Sequence, residues 1–588
     1  MNRKLRRAAA TTKNRRSEAG HSEPAPDFLH GFLDHGWQLL AEGRDEEAME
    51  IAARAVEMGK TDASKALFVQ CVKSWSYFPG AEKIRDILAD ALRDCWGKAG
   101  DLIGLARGLL DRDPLIGPAM RRAAEAWPRH LPLRELLGGR DLGAIAGNPL
   151  LLALLESTSI AGVDLERLVT TLRAGLLDIV GQGGTGGDIL AAACAVARQC
   201  FIAEYVFDIA DDERERVGAL RARIETAIVS GGDIAPLDLM VMASYQSLDG
   251  VSGGELLFER SWAAPVDAVL GQQLRERAAE RQQRGSIPRL TSIGDDTSVR
   301  VREQYEDNPY PRWFALPPAG AGVSADDMMR LLFPVSGYRP TGKIGGFDVL
   351  VAGCGTGQAA ILFARDFSGA KTLAIDLSLA SLGYAKQKTQ ALGIANIDYA
   401  QADILELGGI GRMFDVISAI GVLHHLADPE RGWRTLLSLL RPQGLMHIGL
   451  YSGLARRHLI AAQAWLAARG YTAGADDIRR ARQEFIANVA GHPGFDDVLS
   501  YADFYTMSGC RDLLFHTQNH EFDIQRIHAF LTANGLQFVG FQVDDSARGK
   551  FWRRFGRERE ADLLLWQEFE ADNPDTFKGM YQFYVQKT

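Results

Sequence analysis

Twelve residues, FDVLVAGCGTGQ from Phe347 to Gln358, constrain this chain more than any others. The apolar run Val349–Ala352 reads as a buried strand. It empties into glycines at alternate positions, Gly353, Gly355 and Gly357, and a helical pattern follows at once, with Ile361, Leu362 and Ala364 on one side. Without a Cβ, such a turn is tight and lets the backbone approach a ligand. That ligand would sit at the positive end of the following helix. A strand, a glycine turn and a helix in this order predict a nucleotide-type cofactor site at the carboxyl edge of a parallel sheet.

The spacing is G-x-G-x-G, with Gln358 where the dinucleotide fingerprint has its last glycine. It resembles motif I of the class I S-adenosylmethionine-dependent methyltransferases. The resemblance implies that the loop amides face the carboxylate of the cofactor's methionine part rather than a phosphate. Read alone, the loop is equally a tight strand-to-helix turn.

The parts that follow extend the resemblance over about 350–450. KTLAIDLS (Lys371–Ser378) reads as a second strand ending in Asp376. A carboxylate there suits two ribose hydroxyls, or caps the next helix. IDYAQAD (Ile397–Asp403) reads as strand three, and its last residue stands where the family places an acceptor for the adenine amino group. FDVISAIGVLHHL (Phe414–Leu426) reads as strand four with its loop, and LMHIGLYS (Leu445–Ser452) as strand five. The cofactor-binding set implied is Gly353, Cys354, Gly355, Gly357, Asp376, Leu377, Asp403, Ile404 and Gly421.

Length and composition allow about three domains of ordinary soluble type. The net charge of −9 argues against a general nucleic-acid binder. Six cysteines are scattered without CxxC or zinc spacing, so no metal site and a reducing, cytoplasmic setting are expected. No apolar run is long enough to span a membrane. Residues 1–27 hold a basic segment, seven Lys and Arg with no acid in the first sixteen, expected as a disordered tail.

From 28 to 284 the pattern is helical. Phe32, Gly36, Leu39, Gly43, Ala48 and Ala55 fit one tetratricopeptide-like hairpin, without a clean repeat 34 residues on. Such a region offers a place for a protein partner or protein substrate. Residues 285–340 read as a linker followed by an aromatic lid or an anchoring segment, VREQYEDNPYPRW. Asn308-Pro309-Tyr310 resembles the Asn-Pro-Pro-Tyr motif of amino-group methyltransferases, but that motif follows strand four. The segment Gln304–Trp313 resembles one that joins TPR-like regions to methyltransferase domains in bacterial proteins. The domain itself is expected over 341–588, with a helical insertion at 453–533. Strand six is LQFVGFQVD and the last strand MYQFYVQK.

The fold class expected is α/β: a Rossmann-like class I methyltransferase sheet, mostly parallel with its last strand antiparallel, beside a large all-α N-terminal region. The activity implied is methyl transfer from S-adenosylmethionine to a protein, peptide or small molecule. A methyltransferase-fold scaffold without turnover is the alternative, and a nucleotide-dependent oxidoreductase a third reading. In-line displacement rests on proximity and orientation, with a base needed only for a protonated acceptor. The catalytic candidates are His424, His516, Arg511 and Tyr305. Each has a structural reading as well: packing for His424, internal ion pairing or capping for His516 and Arg511, anchoring for Tyr305.

Overall fold

A computed structural model describes residues 27–320, 322–343 and 346–588. The basic tail lies outside them, save for its last residue. Helices α1 (Asp27–Glu42) and α2 (Asp45–Met58) pack against one another as a hairpin. A Cβ on Gly36 would lie 2.6 Å from the Leu67 side chain of the following helix (Asp62–Val72) and 3.0 Å from that of Ile51 on α2, so a larger residue would displace those side chains. Later helices run from four residues (Leu133–Leu136) to twenty (Asp211–Ser230), so the hairpin is one pair among helices of unequal length. Among them, α3 spans Val163–Gly181 and is buried along most of its length. Helix α4 (Asp296–Asp307) leads toward the sheet, its N-terminus capped by Asp295.

The sheet has seven strands: β1 (Asp348–Ala352), β2 (Lys371–Asp376), β3 (Ile397–Gln401), β4 (Phe414–Ile420), β5 (Leu440–Leu450), β6 (Leu536–Phe541) and β7 (Tyr581–Lys587). Their order is β3-β2-β1-β4-β5-β7-β6, with β7 antiparallel to both neighbours and the other pairs around β1 and β4 parallel. This is the sheet expected of the sequence. Alternate residues of β1 serve opposite cores. Leu350 and Ala352 join one with Trp433 and Phe530; Val349 and Val351 join the other with Phe363 and Leu382. A strand buried on both faces is why the run reads as continuously apolar. Strand order reverses between β1 and β4, which opens a crevice at their carboxyl ends. Helix α5 (Gln358–Asp366) and helix α6 (Leu379–Ala391) start at that edge.

Three boundaries differ from the sequence reading. Strand β3 stops at Gln401, because Asp403 caps the short turn after it by accepting from Leu405 N. Strand β5 starts at Leu440, since the RPQG stretch continues it through an irregularity, with Gln443 at φ +62°. The segment read as a linker lies along the open edge of β3: Gln401 N donates to Pro288 O at 2.9 Å and Leu290 N to Gln401 O at 2.8 Å. Edge groups of a sheet need such partners.

The insertion carries α7 (Ala475–Asn488) and α8 (Met507–Phe515). Many of its apolar side chains, among them Leu459, Phe485, Phe504 and Leu514, belong to the N-terminal helical core, while its last stretch, with Phe522, Ile527 and Phe530, packs into a sheet core. Arg482 of α7 pairs with Glu166 of α3 through two hydrogen bonds of 3.0 and 2.6 Å, with both residues buried. No helix among the described residues is long and apolar enough to cross a membrane.

Candidate active site

The glycine loop is shaped by close approach. Gly353, Gly355 and Gly357 have φ of +68°, +52° and +85°. A Cβ would lie 2.4 Å from Val422 at Gly353, 2.8 Å from Tyr310 O at Gly355 and 2.5 Å from Ala385 at Gly357. Both the left-handed backbone and the space therefore require glycine. Cys354 N donates to Ile375 O at 2.8 Å, which holds the loop against the end of β2. The Cys354 thiol is buried, and burial pushes its pKa well above the ordinary value.

Asp376, at the end of β2, is fixed by its backbone neighbours. Gly355 N donates to Oδ2 at 2.8 Å and Ser378 N to Oδ1 at 2.9 Å. Burial raises its pKa, against the lowering by these bonds. Asp403 is buried, and Oδ2 has no hydrogen-bond partner within the protein. Its pKa is also raised by burial. An unsatisfied buried acceptor beside a cavity is a site waiting for a donor.

Helix α4 and the segment after it cover this side. Ser298, Val301 and Tyr305 line the cavity. Their spacing of three and four puts them on one helical face, a period present in the sequence that marks Ser298 and Val301 as lining residues. Ser378 Oγ bonds Tyr305 O and the Glu306 carboxylate at 3.0 Å each, and Ala380 N donates to that carboxylate at 3.1 Å. Glu306 thus sits at the positive start of α6. Trp313 Nε1 donates to Thr356 O at 3.0 Å, and Thr356 Oγ1 donates to Pro311 O. The covering segment is bonded to the glycine loop itself, so it both anchors and encloses.

The cavity, about 300 Å³, runs from Asp403 past Asp376 and the glycine loop to a second wall made by Tyr305, His425, Tyr451, Asp512 and Met580. Tyr305 Oη donates to Asp512 Oδ1 at 2.5 Å and lies 3.1 Å from His516 Nε2. Tyr310 Oη donates to Asp503 Oδ1 at 2.9 Å. Burial holds His425 down to about 3 and His516 down to about 4, so both are neutral imidazoles near neutral pH. Burial raises the pKa of Asp512.

The structure brings together Tyr305, Asp512 and His516 and places every proposed cofactor residue on or beside the cavity. Two candidates lie elsewhere. His424 is fully buried behind the wall, stacked on Tyr451 at 3.8 Å, and its neighbour His425 faces the cavity instead. Arg511 turns away on α8, where its Nε donates to Ala473 O at 3.0 Å. Asp512, next to it, is the residue that reaches the cavity, and sequence spacing gives no sign of which of the two does so.

A family model described as a methyltransferase domain matches residues 350–446. An uncharacterized protein of Synechococcus sp. is 28% identical over 48% of this chain and 69% of its own length. A ubiquinone biosynthesis O-methyltransferase of Methylocella silvestris is 35% identical over 20% of this chain and 47% of its own, so the chain spans about half that relative. Among solved structures, PKMT2 from Rickettsia typhi in complex with AdoHcy is similar at 18% identity, over 44% of this chain and 51% of that one, with TM-score 0.34. The residues present fit S-adenosylmethionine: a loop cradle that any Cβ would fill, a carboxylate at the end of β2, and the orphaned Asp403 oxygen for an amino donor. The glycine loop, the strand-end acids, the sheet order and the match make residues 350–446 a methyltransferase domain, with S-adenosylmethionine as the cofactor its residues fit.

Proposed function

We propose that the protein transfers a methyl group to an acceptor held against the wall formed by Tyr305, His425, Tyr451, Asp512 and Met580. The observation that carries this is one continuous cavity joining that wall to Asp376, Asp403 and the glycine loop. When bound, S-adenosylmethionine supplies an electrophilic methyl carbon whose bond to sulfur breaks as the acceptor's lone pair attacks. The chain's own contribution is to hold the two partners in line and to exclude water, which by itself supplies much of the rate. Asp376 would hold the ribose hydroxyls, Asp403 the adenine amino group, and the amides of 355–358 the carboxylate. The cover made by α4 and residues 308–313 favours a small molecule, or one side chain of a peptide, over a folded surface.

The test is equilibrium binding of S-adenosylmethionine to wild type and to Asp376→Ala, followed by labelled methyl transfer into a cell lysate. Binding by wild type, loss in the variant and label in an acceptor are expected. No binding by wild type at millimolar cofactor overturns the reading. Binding without any transfer would instead favour the scaffold without turnover.

A further inference from the structure

We propose that the acceptor is a small molecule presenting a hydroxyl group, and that His425 Nε2 takes its proton with Asp512 beside it. This rests on the methyl transfer proposed above and names the acceptor class for the same site.

The first support is the proton inventory of the wall. Gln518 fixes both histidines. Its carbonyl lies 2.9 Å from His425 Nδ1, which must therefore carry the hydrogen and leaves Nε2 as a lone pair. Its N–H donates to His516 Nδ1 at 3.0 Å, which puts the hydrogen of His516 on Nε2. That hydrogen faces the Tyr305 oxygen, whose own hydrogen goes to Asp512. The hydroxyls of Tyr305 and Tyr310 are thus both spent on carboxylates. What remains toward the cavity is an imidazole lone pair, a buried carboxylate and the Tyr451 hydroxyl. Two of the three are acceptors only, so the group that fits must bring a hydrogen. A carboxylate or phosphate acceptor would meet Asp512 and be repelled.

The second support is the charge behind the wall. His424 stacks on the Tyr451 ring at 3.8 Å, and the Arg456 guanidinium lies 3.6 Å over the same ring. Two groups that close to one centroid must cover opposite faces. Tyr451 therefore shows the cavity only its edge and hydroxyl, with no open face for an ammonium. Arg456 is buried, and its positive charge acts on the buried carboxylates of Asp503 and Asp512, lowering the pKa of each against the effect of burial. That cation favours an oxygen that becomes negative as it loses its proton. The balance closes: the O–H bond breaks, its proton goes to His425 Nε2, oxygen bonds the methyl carbon, and the carbon–sulfur pair returns to sulfur. Burial holds His425 down to about 3, so the transfer depends on Asp512 and the new oxyanion beside the imidazole to offset the charge it gains.

A metal reading of the same residues meets two obstacles. Ligand atoms of His425, Asp512 and His516 lie within 4.8 Å of one another. Yet His516 Nε2 carries its hydrogen, and the two imidazoles are stacked at 3.8 Å and 18°, so their in-plane lone pairs run side by side rather than converge.

The probe is 4-nitrophenol added to the full chain saturated with S-adenosylhomocysteine, at a pH where the free probe is mostly protonated. Its absorption reports ionisation directly, without turnover. Wild type should bind it and show the phenolate band. His425→Asn and Asp512→Asn should each lose the band and weaken probe binding about tenfold. Their affinity for S-adenosylhomocysteine should stay within about threefold of wild type. Absence of a phenolate band in wild type, or its survival in His425→Asn, overturns the proposal. Displacement of the probe by benzylamine rather than by phenol would do the same. If S-adenosylhomocysteine itself fails to bind wild type, it is the methyltransferase reading that falls.

Discussion

Tyr305 Oη donates to Asp512 Oδ1 at 2.5 Å across 207 positions of sequence, tying the covering helix α4 to helix α8 of the insertion. Tyr305→Phe keeps the ring and removes the donor. The buried carboxylate loses a bond, which costs about 1–3 kcal/mol of stability by denaturant titration. Affinity for S-adenosylhomocysteine should change by less than about threefold, whereas the nitrophenolate band should weaken, because Asp512 is no longer held in place.

Asp376 accepts from two loop amides and lies on the cavity. Asp376→Ala removes the acceptor that fixes Gly355 as well as the proposed ribose contact. Calorimetry should show S-adenosylmethionine binding weakened by at least about tenfold, with a smaller loss for Asp376→Asn.

Gly355 combines φ +52° with a backbone oxygen, Tyr310 O, 2.8 Å from where a Cβ would stand. Gly355→Ala must displace the covering segment, since a carbonyl cannot rotate aside as a side chain can. A loss of about 1–3 kcal/mol in stability is expected, together with faster proteolysis near residues 308–313. Unchanged proteolysis would show that cover and loop are not coupled.

The Arg482–Glu166 pair is buried and bidentate. Arg482→Met alone leaves an unpaired carboxylate in the helical core and should cost about 3–5 kcal/mol. Adding Glu166→Leu should recover much of that loss. A double variant no better than the single one would contradict the pairing.

His447 stacks on Tyr584 at 4.1 Å within the sheet core, and burial holds it down to about 3. In the unfolded chain it titrates near about 6.5. Between these values the unfolded state binds a proton that the folded state refuses, so stability falls as pH drops through this window. His447→Phe should lower the slope of unfolding free energy against pH by about 1.4 kcal/mol per unit between pH 4 and 6.

The glycine loop, Asp376 and the order of strands were legible because each is local: a run of apolar residues, a turn and a periodicity. The choice between His424 and His425 was not, since adjacent residues on a short turn point in different directions and only the stacking on Tyr451 decides which one is buried. Arg511 and Asp512 are likewise neighbours on α8, and only the fold turns Asp512 rather than Arg511 toward the cavity. The segment near Pro288 read as a linker because its partners are backbone groups of β3, which leave no mark on its own side chains. The helical insertion was legible as helices. Its docking partner was not, because an amphipathic face shows what it buries and not against which surface.

That docking sets an order in time. The core begun by Leu29 is completed by side chains as far along as Leu514, with most of the sheet encoded between its two parts. During synthesis the first 284 residues must wait for about 230 more before their last helices arrive, a delay of roughly ten to fifty seconds at bacterial-type elongation rates. Through that interval the groove later filled by α7 and α8 stands open on the nascent chain, and Glu166 waits there without Arg482.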